Sequence, residues 1–541
     1  MTSLLWPEGA APAPGGGTWP DDLALEPLVR ALALSSRYVG ATRAVLTALC
    51  ADIETIAYRQ DVLDDLLRLP ELAGRLEALL PGLAVAALAG TSRWAGEAGI
   101  FQIAGRLGEL EVYVATLQAL RAALAEAAPG LRAAGWLALA ATVTNLTASP
   151  EFRALAAELP ALRERLERAS SVTLGVNLDA QLRPESATLL AVNAERFGGP
   201  RTLLGRLLGP DRERQSGLTP LRQAGERQAF GPDRQLFLDL SQLLEEVTAP
   251  VAEALTRYAR VGGAALATLE DELAFFLGAA RLVAALRAEG LPLCRPRLAP
   301  PAARLLRARG LYNLELALRL RGEPAPAAPV ANDAVFDDTG RIFVLTGPNR
   351  GGKTTYTRAV GLAHVLAQAG LLLPAEAAEI SPVDAIYTLF PAAEQARTGM
   401  GRLDEEAAHL AAIFRQASAM SLVLLNEPLG STSPHEALAI ARDVLCGLRM
   451  LGARAVLVTH LHELAHEGEA LNEAVIGTSR IDALVAGAIA ASDHSAGDGA
   501  ARTYRITRGL PDGRSYAADI AVAHGLHLSQ IERTLRERGA V

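Results

Sequence analysis

A chain of 541 residues is too long for one hydrophobic core and, at ordinary domain size, divides into roughly three or four domains. Half of its residues are apolar, only 4% are aromatic, and Ala, Leu, Arg and Glu recur at helical spacing, so most of the mass is expected to be helical with one sheet-containing unit. A net charge of -8 argues against nonspecific coating of nucleic acid while leaving room for a local basic patch, and Cys50, Cys294 and Cys446 show no spacing that suggests a disulfide framework or a zinc site. Apolar runs such as Leu79 to Gly90 stop short of the roughly 20 residues a membrane span needs, so a soluble, cytoplasmic protein with no membrane association is expected.

Residues 1–20 are expected to form a disordered tail, because Pro7 to Pro20 is a low-complexity run. Over 21–321 the pattern predicts a helical core, lever and clamp-like region, with apolar stripes such as Leu63, Leu66, Leu67 and Leu69 or Leu155, Leu159, Leu162 and Leu166. Within it, 171–200 changes character: Ser171 to Asn177 and Ala187 to Asn193 are β-prone and predict a small hairpin or clamp-like insertion. The stretch 201–234 then holds seven arginines against four acids, and helical periodicity resumes from Gln235 to Leu286. A proline-rich linker over 322–332 predicts a domain boundary. Beyond it the order strand (Arg341 to Leu345), glycine-rich loop, helix (Tyr356 to Ala369), then strands at Leu422 to Leu425 and Ala455 to Val458 predicts an α/β parallel sheet.

The loop is Gly347-x-x-x-x-Gly352-Lys353-Thr354, set between an apolar strand and a helix, the context of a P-loop. Glycines allow backbone N–H groups to converge on phosphate, and the helix N-terminus adds its positive end. Of the 52 basic residues 51 are Arg, and Lys353 is the single Lys. A phosphate cradle favours a compact ammonium over a planar guanidinium, which makes this placement informative. The nucleotide-binding set is therefore Gly347, Pro348, Asn349, Gly351, Gly352, Lys353, Thr354 and Thr355, with ATP as ligand and Mg2+ on the Thr354 hydroxyl. The apolar strand Ser421 to Leu425 ends in Asn426 and Glu427, where an NTPase places its metal-assisting and water-activating groups; Glu427 is the candidate general base and Asn426 the second metal-site residue. A solvated strand end would look alike in isolation. The strand Val456 to Val458 runs into Thr459 and His460, a γ-phosphate sensor or a structural histidine.

With these elements in order, the segment from Val330 onward resembles the ATPase domain of the MutS family of mismatch-repair proteins, relatives of the ABC ATPases. The resemblance rests on Asn332-Asp333, Thr346 to Thr355, Gly370-Leu-Leu-Leu-Pro-Ala375, Gly430-Ser-Thr-Ser433, Thr459-His-Leu-His-Glu-Leu464 and Gly513-Arg-Ser-Tyr516. It implies an α-helical core and clamp region followed, over 333–541, by an α/β P-loop NTPase domain of the ABC/MutS type, and the region from about Asp21 to Leu320 is more loosely similar to the family's core, levers and clamp. Three departures qualify it. Asn426 stands where the family has the Walker B aspartate, which implies slow or metal-hungry hydrolysis. Gly401 stands where the family has the signature serine that contacts the partner subunit's nucleotide, while Glu406 of that signature is retained. The chain shows no Phe-x-Glu wedge and is expected to lack the mismatch-reading domain and the endonuclease tail.

The leading expectation is a homodimeric ATP-driven clamp on double-stranded or branched DNA, with sequence-independent phosphate contacts from Arg201, Arg206, Arg212 and Arg214. An ordinary solvated face is the plainer reading of those arginines. The competing expectation is an interaction protein that uses nucleotide as a switch, hydrolyses it poorly and has a protein partner. A small-molecule kinase is disfavoured by some 300 residues of preceding helix and the absence of an acceptor lid.

Overall fold

The computed structural model describes residues 3–7, 19–89, 100–167, 171–178, 180–181, 184–193, 195, 263–321, 328–391, 401–488, 502–511 and 525–539. Arg201, Arg206, Arg212, Arg214, residues 322–327 of the expected linker and the Gly513 to Tyr516 motif lie outside them. Two units result, one of Gly74–Pro129 and Ala138–Glu270, the other of Thr2–Ala73, Gly130–Leu137 and Asp271–Val541.

The first unit is built on long helices. Leu107, Leu110, Leu117, Leu120 and Leu124 form the buried stripe of the helix Ile100–Ala127, and Leu155, Leu159 and Leu162 that of Pro150–Glu167. Spacing of three and four residues puts each set on one helical face, as read from the sequence. Leu166 is not part of that buried stripe. Arg163 pairs with Glu111 across the same two helices, and Tyr113 meets Phe152 with ring centroids 6.1 Å apart. Strands β1 (Ser171–Leu178) and β2 (Pro184–Asn193) form an antiparallel ribbon where the β-prone runs lie.

The second unit contains two sheets. One holds four short strands, β3 (Arg297–Leu298), β4 (Leu306–Leu311), β5 (Asn332–Phe336) and β7 (Ala377–Ile380), in the order β3-β7-β4-β5. The other has six: β6 (Ile342–Thr346), β8 (Ile386–Leu389), β9 (Leu422–Asn426), β10 (Arg454–Val458), β11 (Ile481–Ala488) and β12 (Arg502–Arg508), in the order β12-β11-β6-β10-β9-β8. Every residue of β6, β9 and β10 is buried, as central parallel strands covered on both faces require.

Three expectations change. The sheet is mixed, because β12 joins β11 antiparallel at its edge. No unit boundary falls at 322–332: β4, before that stretch, pairs antiparallel with β5, which begins at its last residue, and with β7 beyond it. Proline-rich composition reads as a linker, and long-range pairing across it leaves no local mark. Of the tail expected over 1–20, the described residues include buried anchors, Leu4, Leu5 and Trp19. Ser3 Oγ and Leu4 N donate to Glu272 at 2.5 and 2.6 Å, and the Trp6 ring lies 4.2 Å beneath the Arg59 guanidinium. These apolar anchors flank the low-complexity run, of which residues 8–18 are outside the described set.

The buried Arg454 at the start of β10 donates to the carbonyls of Ser381 and Met420, both at 2.9 Å, and of Pro382 at 3.2 Å. These bonds occupy both terminal nitrogens while the buried Nε has no partner among the described residues, and loss of solvent pulls the pKa down to about 9. Among the described residues no helix is long and apolar enough to cross a membrane.

Candidate nucleotide site

Strand β6 ends at Thr346, the loop follows, and the helix Lys353–Gln368 opens with Gly352 as its cap at φ 91°. Gly347 has φ 127°, and a Cβ there would lie 2.8 Å from the Ala486 carbonyl oxygen, so only glycine lets the loop run this close to β11. Arg350 adopts φ 59°, an unusual value for a side-chain-bearing residue inside a tight turn.

Lys353 is buried, and its Nζ donates to the Gly347 and Pro348 carbonyls at 2.8 and 3.1 Å. Among the described residues no carboxylate lies within ion-pair distance of it, so its direct partners are these two neutral carbonyls. Burial lowers its pKa; the negative charge of Glu427 acts the other way.

The strand ends supply the opposite wall. Thr354 Oγ1 donates to Asn426 Oδ1 at 3.2 Å, linking the first turn of the helix to the end of β9. Glu427 follows with φ 51°, its N–H bonded to the Val458 carbonyl of β10 at 2.9 Å. His460 Nε2 lies 3.0 Å from Glu427 Oε1. This hydrogen bond is the main cause holding the Glu427 carboxyl below its ordinary value of 4.5, against a rise from partial burial; the charges of His460 and Lys353 add to the lowering.

Asn349, Arg350, Gly351, Gly352, Lys353, Thr354, Thr355 and Glu427 line one cavity of about 610 Å3. Gly347 and Pro348 adjoin it through the carbonyls that hold Lys353, Asn426 through Thr354, and His460 through Glu427. Gly401 and Glu406 are not on its wall. Gly401 caps the helix Arg402–Gln416, and Glu406 accepts from Leu429 N at 2.7 Å in the same chain.

Sequence reasoning missed the far wall, which includes Asn313, Leu316, Arg319 and Tyr504. Asn313 donates to the Thr355 carbonyl at 2.9 Å while its own carbonyl caps the helix Leu314–Leu320. Asn-Leu-Glu at 313–315 is a helix-cap signal, but nothing local aims it at the loop. Tyr504 sits at φ 54°, with its carbonyl accepting from Asn332 Nδ2 at 3.1 Å; Asn332 Oδ1 accepts from Ile506 N at 2.7 Å.

Residues 343–534 match the family model for MutS domain V, and residues 51–289 match that for the MutS2 N-terminal domain. Among curated proteins, the chain is 38% identical over 211 residues to the DNA mismatch repair protein MutS of Chlorobium limicola, covering 39% of this chain and 23% of the relative. It is 32% identical over 303 residues to MutS of Chlorobium phaeovibrioides, covering 56% of this chain and 31% of that protein. It is 41% identical over 147 residues to the DNA mismatch repair protein MutS 2 of Halobacterium salinarum, covering 27% of this chain and 17% of that protein. The matched stretches thus span less than a third of these relatives' own lengths.

Proposed function

The chain belongs to the MutS family, and from that premise we propose that it binds and hydrolyses ATP as a homodimer and uses the cycle to drive a clamp on double-stranded or branched DNA, in repair or recombination control. The observation that carries the reading is the meeting, on one cavity, of a glycine loop, a buried ammonium bonded only to loop carbonyls and a carboxylate held by an imidazole. In this reading the second unit carries a P-loop NTPase fold of the ABC/MutS type.

The loop N–H groups and the N-terminus of the helix Lys353–Gln368 bind the phosphates. Lys353 exchanges the Gly347 and Pro348 carbonyls for phosphate oxygens, an exchange that replaces neutral acceptors with charged ones. Thr354 Oγ1 and Asn426 Oδ1 are adjacent neutral oxygens, a pair that fits a magnesium ion keeping most of its waters, and such an ion supplies neutralisation of phosphate charge. Glu427, ionised at neutral pH, accepts the proton of the attacking water, while His460 fixes the orientation of its carboxylate.

The test is ATP turnover by the wild type, Lys353→Ala and Glu427→Gln, each with and without duplex or branched DNA. Lys353→Ala is expected to lose nucleotide affinity. Glu427→Gln is expected to keep it while kcat falls about 100-fold or more, the usual range for a lost general base. DNA should change the wild-type rate. Wild-type turnover at background with intact ATP binding would sink the hydrolytic reading in favour of a nucleotide-dependent switch with a protein partner. Asn426 is the observation that favours this second reading, because a neutral amide holds a metal with less charge than a carboxylate.

A further inference from the structure

Strand β9 leads into a turn, Glu427-Pro428-Leu429, in which two residues with side chains take left-handed backbone angles, φ 51° at Glu427 and φ 65° at Leu429. Such a conformation persists only where surrounding contacts determine it. Pro428 has no N–H, so the turn offers two amide donors. One, from Glu427, goes to the Val458 carbonyl at 2.9 Å; the other, from Leu429, goes to Glu406 Oε2 at 2.7 Å. The second oxygen of Glu406 accepts from Arg402 Nε at 3.1 Å, one helical turn back. The Leu429 side chain is itself buried in the apolar cluster beneath the sheet.

We propose that Glu406 is a positioning residue for Glu427 within its own chain: by accepting from Leu429 N it fixes the strained turn from which the Glu427 carboxylate reaches the cavity and His460. The inference rests on the hydrolytic reading of Glu427. It makes the helix Arg402–Gln416, capped by Gly401, a lever on that carboxylate, so that any displacement of the helix N-terminus is felt at the base through one charge-assisted hydrogen bond.

Single-turnover ATP hydrolysis and ATP affinity are to be measured for the wild type, Glu406→Ala, Glu406→Gln, Glu427→Gln and the double variant Glu406→Ala/Glu427→Gln, together with amide exchange over the segment 426–433. Glu406→Ala is expected to slow hydrolysis at least tenfold with ATP affinity within twofold of wild type, and to speed exchange of the segment. Glu406→Gln keeps a carbonyl acceptor and should recover most of the rate. The double variant should be no slower than Glu427→Gln alone, because a residue that acts through Glu427 has nothing left to position. Losses that multiply in the double variant, or a Glu406→Ala rate equal to wild type, would overturn the proposal. A wild type without turnover sinks the hydrolytic reading instead; the exchange measurement then decides whether Glu406 holds the turn, with acceleration in Glu406→Ala supporting it and unchanged exchange overturning it.

Discussion

Glu427 and His460 illustrate how one hydrogen bond sets a proton affinity. The largest cause lowering the Glu427 pKa is its bond to His460, and burial works in the opposite sense. In the free protein the carboxylate therefore stays ionised down through its ordinary 4.5, and the hydrolysis proposed to depend on it is expected to be lost only as pH falls through a still lower value. Removing the imidazole in His460→Ala takes away the lowering bond and leaves the burial. The acid limb of kcat/KM, which reports the free enzyme, is then expected to move to higher pH. A pH–rate series on the two proteins, with Glu427→Gln as the reference lacking this titration, checks it; a limb that does not move would remove His460 from control of the base.

At the scale of elements, the helix Lys353–Gln368 is held at both ends. Its start carries the loop, and at its end Gln368 Nε2 donates to the Cys50 and Val383 carbonyls at 3.0 and 2.9 Å while Gln368 Oε1 accepts from Val383 N at 3.0 Å. Arg59, buried in the helix Ile53–Arg68, donates to the Gln368 carbonyl at 2.9 Å and to that of Leu5 at 2.8 Å. Gly370 closes this junction at φ 81°, and a Cβ there would lie 2.2 Å from Arg59 Cβ. Gly370→Ala adds a backbone penalty to a clash with a residue that is bonded in place, so a loss of about 3 kcal/mol is expected. Urea unfolding of the purified protein measures it, and a change under about 0.5 kcal/mol would show that Arg59 is free to give way. None of this junction was legible in the sequence, although Gly370 to Ala375 stood out as a motif. The loop and the strand ends were legible because each is a contiguous string whose chemistry follows from order along the chain: Gly347 to Thr354, Asn426-Glu427, Thr459-His460. The Asn313 and Tyr504 wall, the β4–β5–β7 sheet and the anchoring of Leu4 and Leu5 are contacts between distant segments, and periodicity or composition records only which residues are apolar, not which partner they find.

For the whole molecule, charge decides what kind of DNA contact is open to it. At a net charge of -8 the protein as a whole repels a polyanion, so any affinity has to come from a local excess of cation. The stretch 201–234 holds seven arginines against four acids, a local excess of cation, and Arg201, Arg206, Arg212 and Arg214 are its candidate phosphate contacts, although they lie outside the described residues. Four such contacts release counterions so that log K falls with log salt at a slope of about -3 to -4 per chain, and about twice that if two copies grip one duplex. Phosphate contacts carry no sequence information, so the same slope is expected on duplexes of unrelated sequence. Fluorescence anisotropy across a salt series, on the wild type and on a variant with the four arginines changed to glutamate, measures both quantities. The variant should lose affinity and flatten the slope while the ATP binding proposed at Lys353 is unchanged. A slope near zero in the wild type, or an unchanged slope in the variant, would move DNA contact away from this stretch and leave a protein partner as the better reading of the acidic chain.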